Sequence, residues 1–200
     1  MILKVCGITN QEDSDAAIAG GATAIGFNFY PRSPRYIAPE RAAEIASAPG
    51  VRRVGVFVNE DRKRVEEIAR IAALDVAQLH GEEAPADYPA SVAVWKAARV
   101  TAGFDFAQYD HCPAEALLLD GPAAELYGGS GRTFDWRLAG VAPRRIILAG
   151  GLDASNVARA IALVRPWGVD ACSRIESAPG KKDHKKMTEF LQAAWTALLS

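Results

Sequence analysis

Apolar runs and helix-spaced segments alternate along the whole chain. Stretches rich in Val, Ile, Leu and Phe recur at intervals of roughly 20 to 30 residues, each followed by a segment with helical periodicity, as parallel βα units require. Eight runs read as strands: Ile2–Cys6, Ala24–Phe29, Val54–Val58, Val76–His80, Val92–Ala97, Ala116–Asp120, Ile146–Ala149 and Val169–Ser173. Helix starts lie between them at Asn10 with Glu12 and Asp13, at Pro39-Glu40, at Asn59-Glu60-Asp61, and at Asp153 with Ser155 and Asn156. Caps and acidic residues there meet the orphan N–H groups and the positive end of the helix dipole. The last helix is the clearest, because Met187, Phe190, Leu191, Ala194, Trp195 and Leu198 form one apolar stripe. The fifth and sixth helical segments are weak, interrupted by Gly103, Pro113, Pro122 and the glycines of 128–131.

Eight strands alternating with helices suit a small closed (β/α)8 barrel, an α/β fold in which closure removes the sheet edges. Residues 1–200 are then one domain, with no linker or low-complexity tract. An open doubly wound sheet is the competing architecture. Its dinucleotide-binding form would carry a G-x-G-x-x-G after the first strand, and this chain has none there.

Barrel closure gathers the strand ends on one rim, where such folds keep their chemistry. The expected ring is Cys6, Asn28, Asn59, His80, Lys96, Asp120, Gly150 and Ser173, unusually polar for eight apolar strands. Cys6 ends an apolar run, and by itself such a cysteine is usually an ordinary core thiol; the polar ring around it raises the reactive reading. Asp120 follows Leu117-Leu118-Leu119, so a carboxyl closes a deep run; desolvation there would let it keep a proton near neutral pH, while Gly121-Pro122 also suits a turn-capping Asp. Glycine-containing loops follow the last strands at 127–131, at Gly150-Gly151 and at 173–180. Glycines let backbone N–H groups converge on an anion, and a phosphate commonly sits at the loops after strands 7 and 8. Pro31-Arg32-Ser33-Pro34-Arg35-Tyr36 holds two arginines in a stiff loop, where a guanidinium can clamp a carboxylate with two hydrogen bonds. The run Lys181, Lys182, Lys185 and Lys186 reads as a solvated face that at most steers an anion.

Bulk properties narrow the partners. A net charge of −1 gives no basic footprint for nucleic acid or an anionic membrane surface. The three widely spaced cysteines, Cys6, Cys112 and Cys172, do not form the dense even set of a secreted disulfide scaffold, so a reducing cytoplasm is expected. The N-terminal Met1-Ile2-Leu3-Lys4-Val5 is too short for a signal h-region and no later apolar stretch approaches a membrane span, so a soluble, unprocessed monomer or homodimer is expected.

Taken together, several stretches resemble the phosphoribosylanthranilate isomerase family. They are Lys4-Val5-Cys6-Gly7-Ile8-Thr9, 29–36, Val54-Gly55-Val56-Phe57-Val58-Asn59, Gln78-Leu79-His80-Gly81, Leu118-Leu119-Asp120, 127–136, 148–152 and 168–183. The resemblance implies a (β/α)8 barrel that carries out an Amadori rearrangement in tryptophan biosynthesis without a cofactor. It also implies a general base at Cys6, a general acid at Asp120, an arginine at Arg35 for the anthranilate carboxylate, and a phosphate site in the last loops. That site would comprise Gly129, Gly131, Gly150, Gly151, Ser173 and Arg174. One departure stands out: Cys172-Ser173-Arg174-Ile175-Glu176 lies where the family pattern reads Ser-Ser-Gly-Val-Glu. Arg174 either obstructs a backbone phosphate cradle or adds a guanidinium to it, and the second is favoured. Three other readings compete: a different phosphosugar isomerase or epimerase on the same scaffold, a metal-dependent lyase or hydrolase using Cys6, His80 and Cys172, and a barrel that binds a phosphorylated metabolite or a partner protein without catalysis.

Overall fold

The computed structural model describes all residues except 102, 122–132, 143 and 200. Eight parallel strands close into a barrel in chain order: β1 (Ile2–Cys6), β2 (Ala24–Asn28), β3 (Arg52–Phe57), β4 (Val76–Leu79), β5 (Ala93–Arg99), β6 (Ala116–Asp120), β7 (Ile146–Leu148) and β8 (Gly168–Ala171). β8 returns to β1, with Val5 opposite Ala171, so no strand edge is left open.

Side chains alternate across each strand, which sorts the runs into an outer and an inner set. Outward residues such as Leu3, Val5, Ile25 and Phe27 pack under the helices. Inward residues fill the lower barrel with Ile2, Ala24, Val54, Val76, Trp95, Ala116, Leu118 and Ile147. Trp95 is the largest of them, fully buried, and its indole N–H donates to Glu115 at 2.9 Å. Higher up, the same alternation turns polar side chains inward: Lys4 and Cys6 on β1, Gln78 on β4, Asp120 on β6 and Asp170 on β8.

Helices α1 (Gln11–Ala19), α2 (Pro39–Glu44), α3 (Arg62–Ile71), α4 (Val157–Val164) and α5 (His184–Leu199) pack around the barrel. The Asn10 and Asp61 side chains accept from N–H groups of the first turns of α1 and α3, and Pro39 opens α2. The stripe of α5 buries Met187, Phe190, Leu191 and Ala194, whereas Trp195 is exposed at one edge and donates its indole N–H to the Gly21 carbonyl. As the interrupting glycines and prolines suggest, the described residues after β5 and β6 form 3₁₀ turns, Phe106–Tyr109 and Trp136–Val141, and no α-helix. The segment after β4 departs from expectation: it too is a 3₁₀ turn, Pro85–Asp87. Pro85 and Pro89 in so short a connection leave no room for an α-helix.

A hairpin that periodicity did not indicate follows β8. Strand β9 (Glu176–Ala178) pairs antiparallel with β10 (Lys181–Lys182), folded back beside the rim. It corrects the reading of the lysine run, because Lys182 is 3% exposed and ion-paired to Glu176 at 2.9 Å. A two-residue strand is too short to print a period, so its burial was hidden among neighbouring charges.

Candidate active site

The upper mouth of the barrel is a pocket walled by Cys6, Arg35, His80, Asp120, Gly150, Gly151, Cys172, Ser173 and Arg174. Strand alternation and rim loops therefore bring together seven described residues singled out from the sequence, namely Cys6, Asp120, Arg35, Gly150, Gly151, Ser173 and Arg174. Gly129 and Gly131 lie outside the described residues.

Cys6 ends β1 at 8% exposure, with its sulfur facing the pocket. Its proton affinity falls well below that of an ordinary thiol, first because the Cys172 thiol donates to it, then because Lys4 and Lys182 bring positive charge; burial opposes all three. Cys172 moves the opposite way, pushed well above the usual thiol range by that same hydrogen bond and by burial. The two thiols therefore titrate as a coupled pair, with Cys6 the more acidic member. Burial alone would drive the Lys4 ammonium to lose its proton, but Asp170 at 3.0 Å and Cys6 reverse this and hold it charged. Asp170 itself is pushed up to about 7, chiefly by burial. Lys4 and Cys6 both approach the face of Gly26: a Cβ there would meet the Cys6 sulfur at 2.9 Å and Lys4 Nζ at 3.1 Å. Only a glycine leaves room for the ammonium and the thiolate to converge.

Arg35 lies in the loop after β2 and points back into the rim. Its Nε and Nη2 donate to the two Glu176 oxygens at 2.9 and 2.7 Å, a bidentate pair with side-chain exposures of 12% and 4%. Burial would raise the Glu176 carboxyl, yet Arg35 and Lys182 hold it below its ordinary range. The close approach of Arg35 depends on Gly7, whose φ of +77° suits glycine; a Cβ there would meet Arg35 Cδ at 2.8 Å and the Cys172 sulfur at 3.2 Å. Arg32, the other arginine of the loop, stays exposed.

Asp120 stands three strands round the barrel from Cys6, at the tip of β6. One of its oxygens accepts from the Gly121 N–H at 2.8 Å, and the other lies 3.4 Å from His80 Nε2. His80 in turn meets the Gln78 amide at 3.2 Å through Nδ1. Lys96 does not belong to the ring: β5 continues to Arg99, and Lys96 turns away beneath the loop after β4 to pair with Glu83 at 3.0 Å. Asn59 also leaves the ring, with its carbonyl side chain accepting from the Glu82 N–H.

After β7, Gly150 and Gly151 take positive φ and carry the chain to α4, where Asn156 Nδ2 fastens the Gly151 carbonyl at 2.8 Å. After β8 a single 3₁₀ turn, Ser173–Ile175, faces them, and Arg174 Nη1 reaches to 3.4 Å from Asp153 across the gap. Two backbone loops and one guanidinium thereby border the same corner of the pocket. Among the described residues, no group of three or more His, Cys, Asp and Glu side chains is placed to hold a metal ion. Lys4, Asp170, Glu176 and Lys182 were missed as site residues. The first two share the inward parity of Cys6 and Cys172 and were legible from it; the hairpin pair was not.

The arrangement agrees with what the chain is similar to. The model of the N-(5'-phosphoribosyl)anthranilate (PRA) isomerase family matches residues 3–193. The N-(5'-phosphoribosyl)anthranilate isomerase of Solibacter usitatus is 75% identical over 198 residues, spanning 99% of both chains. Among solved structures, the phosphoribosyl anthranilate isomerase of Thermotoga maritima superposes with a TM-score of 0.88 at 40% identity, covering 98% of this chain and 100% of that one. A phosphoribosyl anthranilate isomerase in complex with reduced 1-(o-carboxyphenylamino)-1-deoxyribulose 5-phosphate gives 0.87 at 38% identity, with 98% and 100% covered. With a closed barrel, a thiol at the tip of β1 and a carboxyl at the tip of β6, this chain belongs to the N-(5'-phosphoribosyl)anthranilate isomerase family.

Proposed function

We propose that the pocket rearranges N-(5-phosphoribosyl)anthranilate to 1-(2-carboxyphenylamino)-1-deoxyribulose 5-phosphate, an Amadori step of tryptophan biosynthesis, by general acid–base catalysis with Asp120 as acid and Cys6 as base. Asp120 gives a proton to the furanose ring oxygen, the ring C–O bond breaks, and a Schiff base forms at C1. The iminium acidifies the C2 proton, which the Cys6 thiolate removes. The resulting enolamine tautomerises to the ketone, so the substrate's own nitrogen is the electron sink. The observation that carries this reading is the surroundings of Cys6: a cysteine of ordinary pKa, about 8.5, is mostly thiol at neutral pH, and here the neighbouring Cys172 thiol and the Lys4 and Lys182 charges lower its proton affinity.

Glu176 occupies one edge of the Arg35 guanidinium, and the opposite edge takes the anthranilate carboxylate. The phosphate sits against the backbone of Gly150, Gly151 and Ser173, joined by the Arg174 guanidinium. Bound at both ends, the substrate is stretched between the acid and the base. The reaction takes place in the cytoplasm, where the three free cysteines rest in the reduced state, and the enzyme acts as a monomer or homodimer.

Complementation tests this directly. The chain is expected to restore growth without tryptophan to a strain lacking the isomerase; failure by folded, expressed protein would favour a barrel that only binds a phosphorylated metabolite. Arg35→Ala separates the reading from a general phosphosugar isomerase. It is expected to raise KM for N-(5-phosphoribosyl)anthranilate, and an unchanged KM would remove the carboxylate clamp.

A further inference from the structure

We propose that Cys6 and Cys172 form an oxidation site, a thiol pair that a small hydroperoxide converts to a disulfide and that thereby withdraws the base reversibly from catalysis; the catalytic consequence rests on the function proposed above. The register of β1 and β8 carries the geometry. It pairs Lys4 with Asp170 and Val5 with Ala171, so the next step of the ladder sets Cys6 opposite Cys172. Neighbouring strands stand about 4.8 Å apart, inside the Cα separations that disulfides span, about 4.4–6.8 Å. Both side chains have inward parity and open into the same pocket, and the Cys172 sulfur lies 3.2 Å from where a Cβ on Gly7 would stand. The backbone leaves the ladder at Cys172, with φ −136° and ψ −89°, as the chain enters the 3₁₀ turn Ser173–Ile175. Neither sulfur is therefore locked between two continuous strands.

The chemistry needs one nucleophilic sulfur, one resolving sulfur and room for a peroxide. The Cys6 thiolate attacks an oxygen of the hydroperoxide; an S–O bond forms, the O–O bond breaks, and the leaving alkoxide or hydroxide takes a proton from solvent. Cys6 is then a sulfenic acid. The Cys172 sulfur attacks it, the S–S bond forms as the S–O bond breaks, and the departing hydroxide takes the Cys172 proton and leaves as water. Two thiols have lost two electrons, and the peroxide has become an alcohol (or water) and a water. Cys172 thus has two uses, donating to the thiolate while reduced and capturing it once oxidised. The bond would also protect Cys6 from the irreversible sulfinic and sulfonic states. Cys112 takes no part, since it lies in the outer layer with the Tyr88 hydroxyl 3.3 Å from its sulfur.

Treatment of the intact protein with a small excess of hydrogen peroxide, followed by alkylation, proteolysis and mass spectrometry, tests the pair. The expected product is one linked peptide joining residues 6 and 172, lighter by two hydrogens, that grows as isomerase activity falls and vanishes as dithiothreitol restores it. Cys112→Ser is expected to behave like the parent. In Cys172→Ser no such link forms, and on prolonged exposure the fraction of that variant's own starting activity recovered by dithiothreitol is several-fold smaller. Absence of the 6–172 link in the parent protein, a link to Cys112 instead, or equal recovery in Cys172→Ser would overturn the proposal. The link is read by mass, so it is decided even if the protein turns over no N-(5-phosphoribosyl)anthranilate.

Discussion

The two sides of the pocket are built differently. Around Cys6, charges interlock: Lys4 with Asp170 inside the barrel, and Arg35 with Glu176 and Lys182 along the rim, drawing on β1, the loop after β2, β8 and the β9–β10 hairpin. Asp13 at the start of α1 extends the set, accepting from the Lys182 N–H at 2.9 Å and meeting His184 at 2.8 Å. Among the described residues, Asp120 meets one backbone N–H and one imidazole. The difference suits the roles proposed for the two groups. A base that must stay anionic in a buried place needs fixed positive charge nearby, whereas an acid that must hand over a proton is served by a site with little compensating charge. Among the described residues, the ion pairs that border the pocket gather on the base side.

The comparison breaks most sharply at the reacting groups. Cys6→Ser and Asp120→Asn are each expected to lower kcat by about 10²–10⁴-fold while a product analogue still binds; near-parental turnover in either would remove that residue's role. Stability separates the two sides next. Glu176→Gln strands the buried Arg35 and Lys182 charges and is expected to cost about 3 kcal/mol in urea unfolding, whereas His80→Gln costs about 1 kcal/mol or less. The folded Glu176 carboxyl lies below its unfolded value, so its contribution is complete above about pH 4.3 and disappears as pH falls through the lowered value; acid unfolding of Glu176→Gln is expected to lack that component. The smallest effect is at the phosphate corner. Arg174→Ala is expected to raise KM several-fold and Arg174→Gly to restore most of it, and an unchanged KM in Arg174→Ala would deny the guanidinium a part in phosphate binding.

What could be read from the sequence tracks what each residue type advertises locally. The strands, the caps at Asn10 and Asp61, and Cys6 and Asp120 at strand tips follow from apolar runs and the residues that end them. Lys96 went wrong because β5 runs on to Arg99, beyond the apolar run, so the apparent tip is mid-strand. Glu176 went unread because Arg35 is 141 residues away and no local pattern encodes that meeting, and Lys182 because a two-residue strand shows no period. Gly7 was legible as a turn residue, but not as the space that Arg35 and Cys172 fill. Arg174 stood out only as a departure from a family pattern, and Asp153 beside it gave no warning of the contact.

The state of Cys6 is tested most directly by its rate of alkylation with iodoacetamide as a function of pH, read by mass at residue 6 in a Cys112→Ser background. The expected midpoint lies well below the ordinary thiol value of about 8.5, and moves upward in Lys4→Met as one source of positive charge is lost. A midpoint at or above that value, unmoved by Lys4→Met, would mean that Cys6 rests as a thiol and that the charges gathered around it do not make it a base.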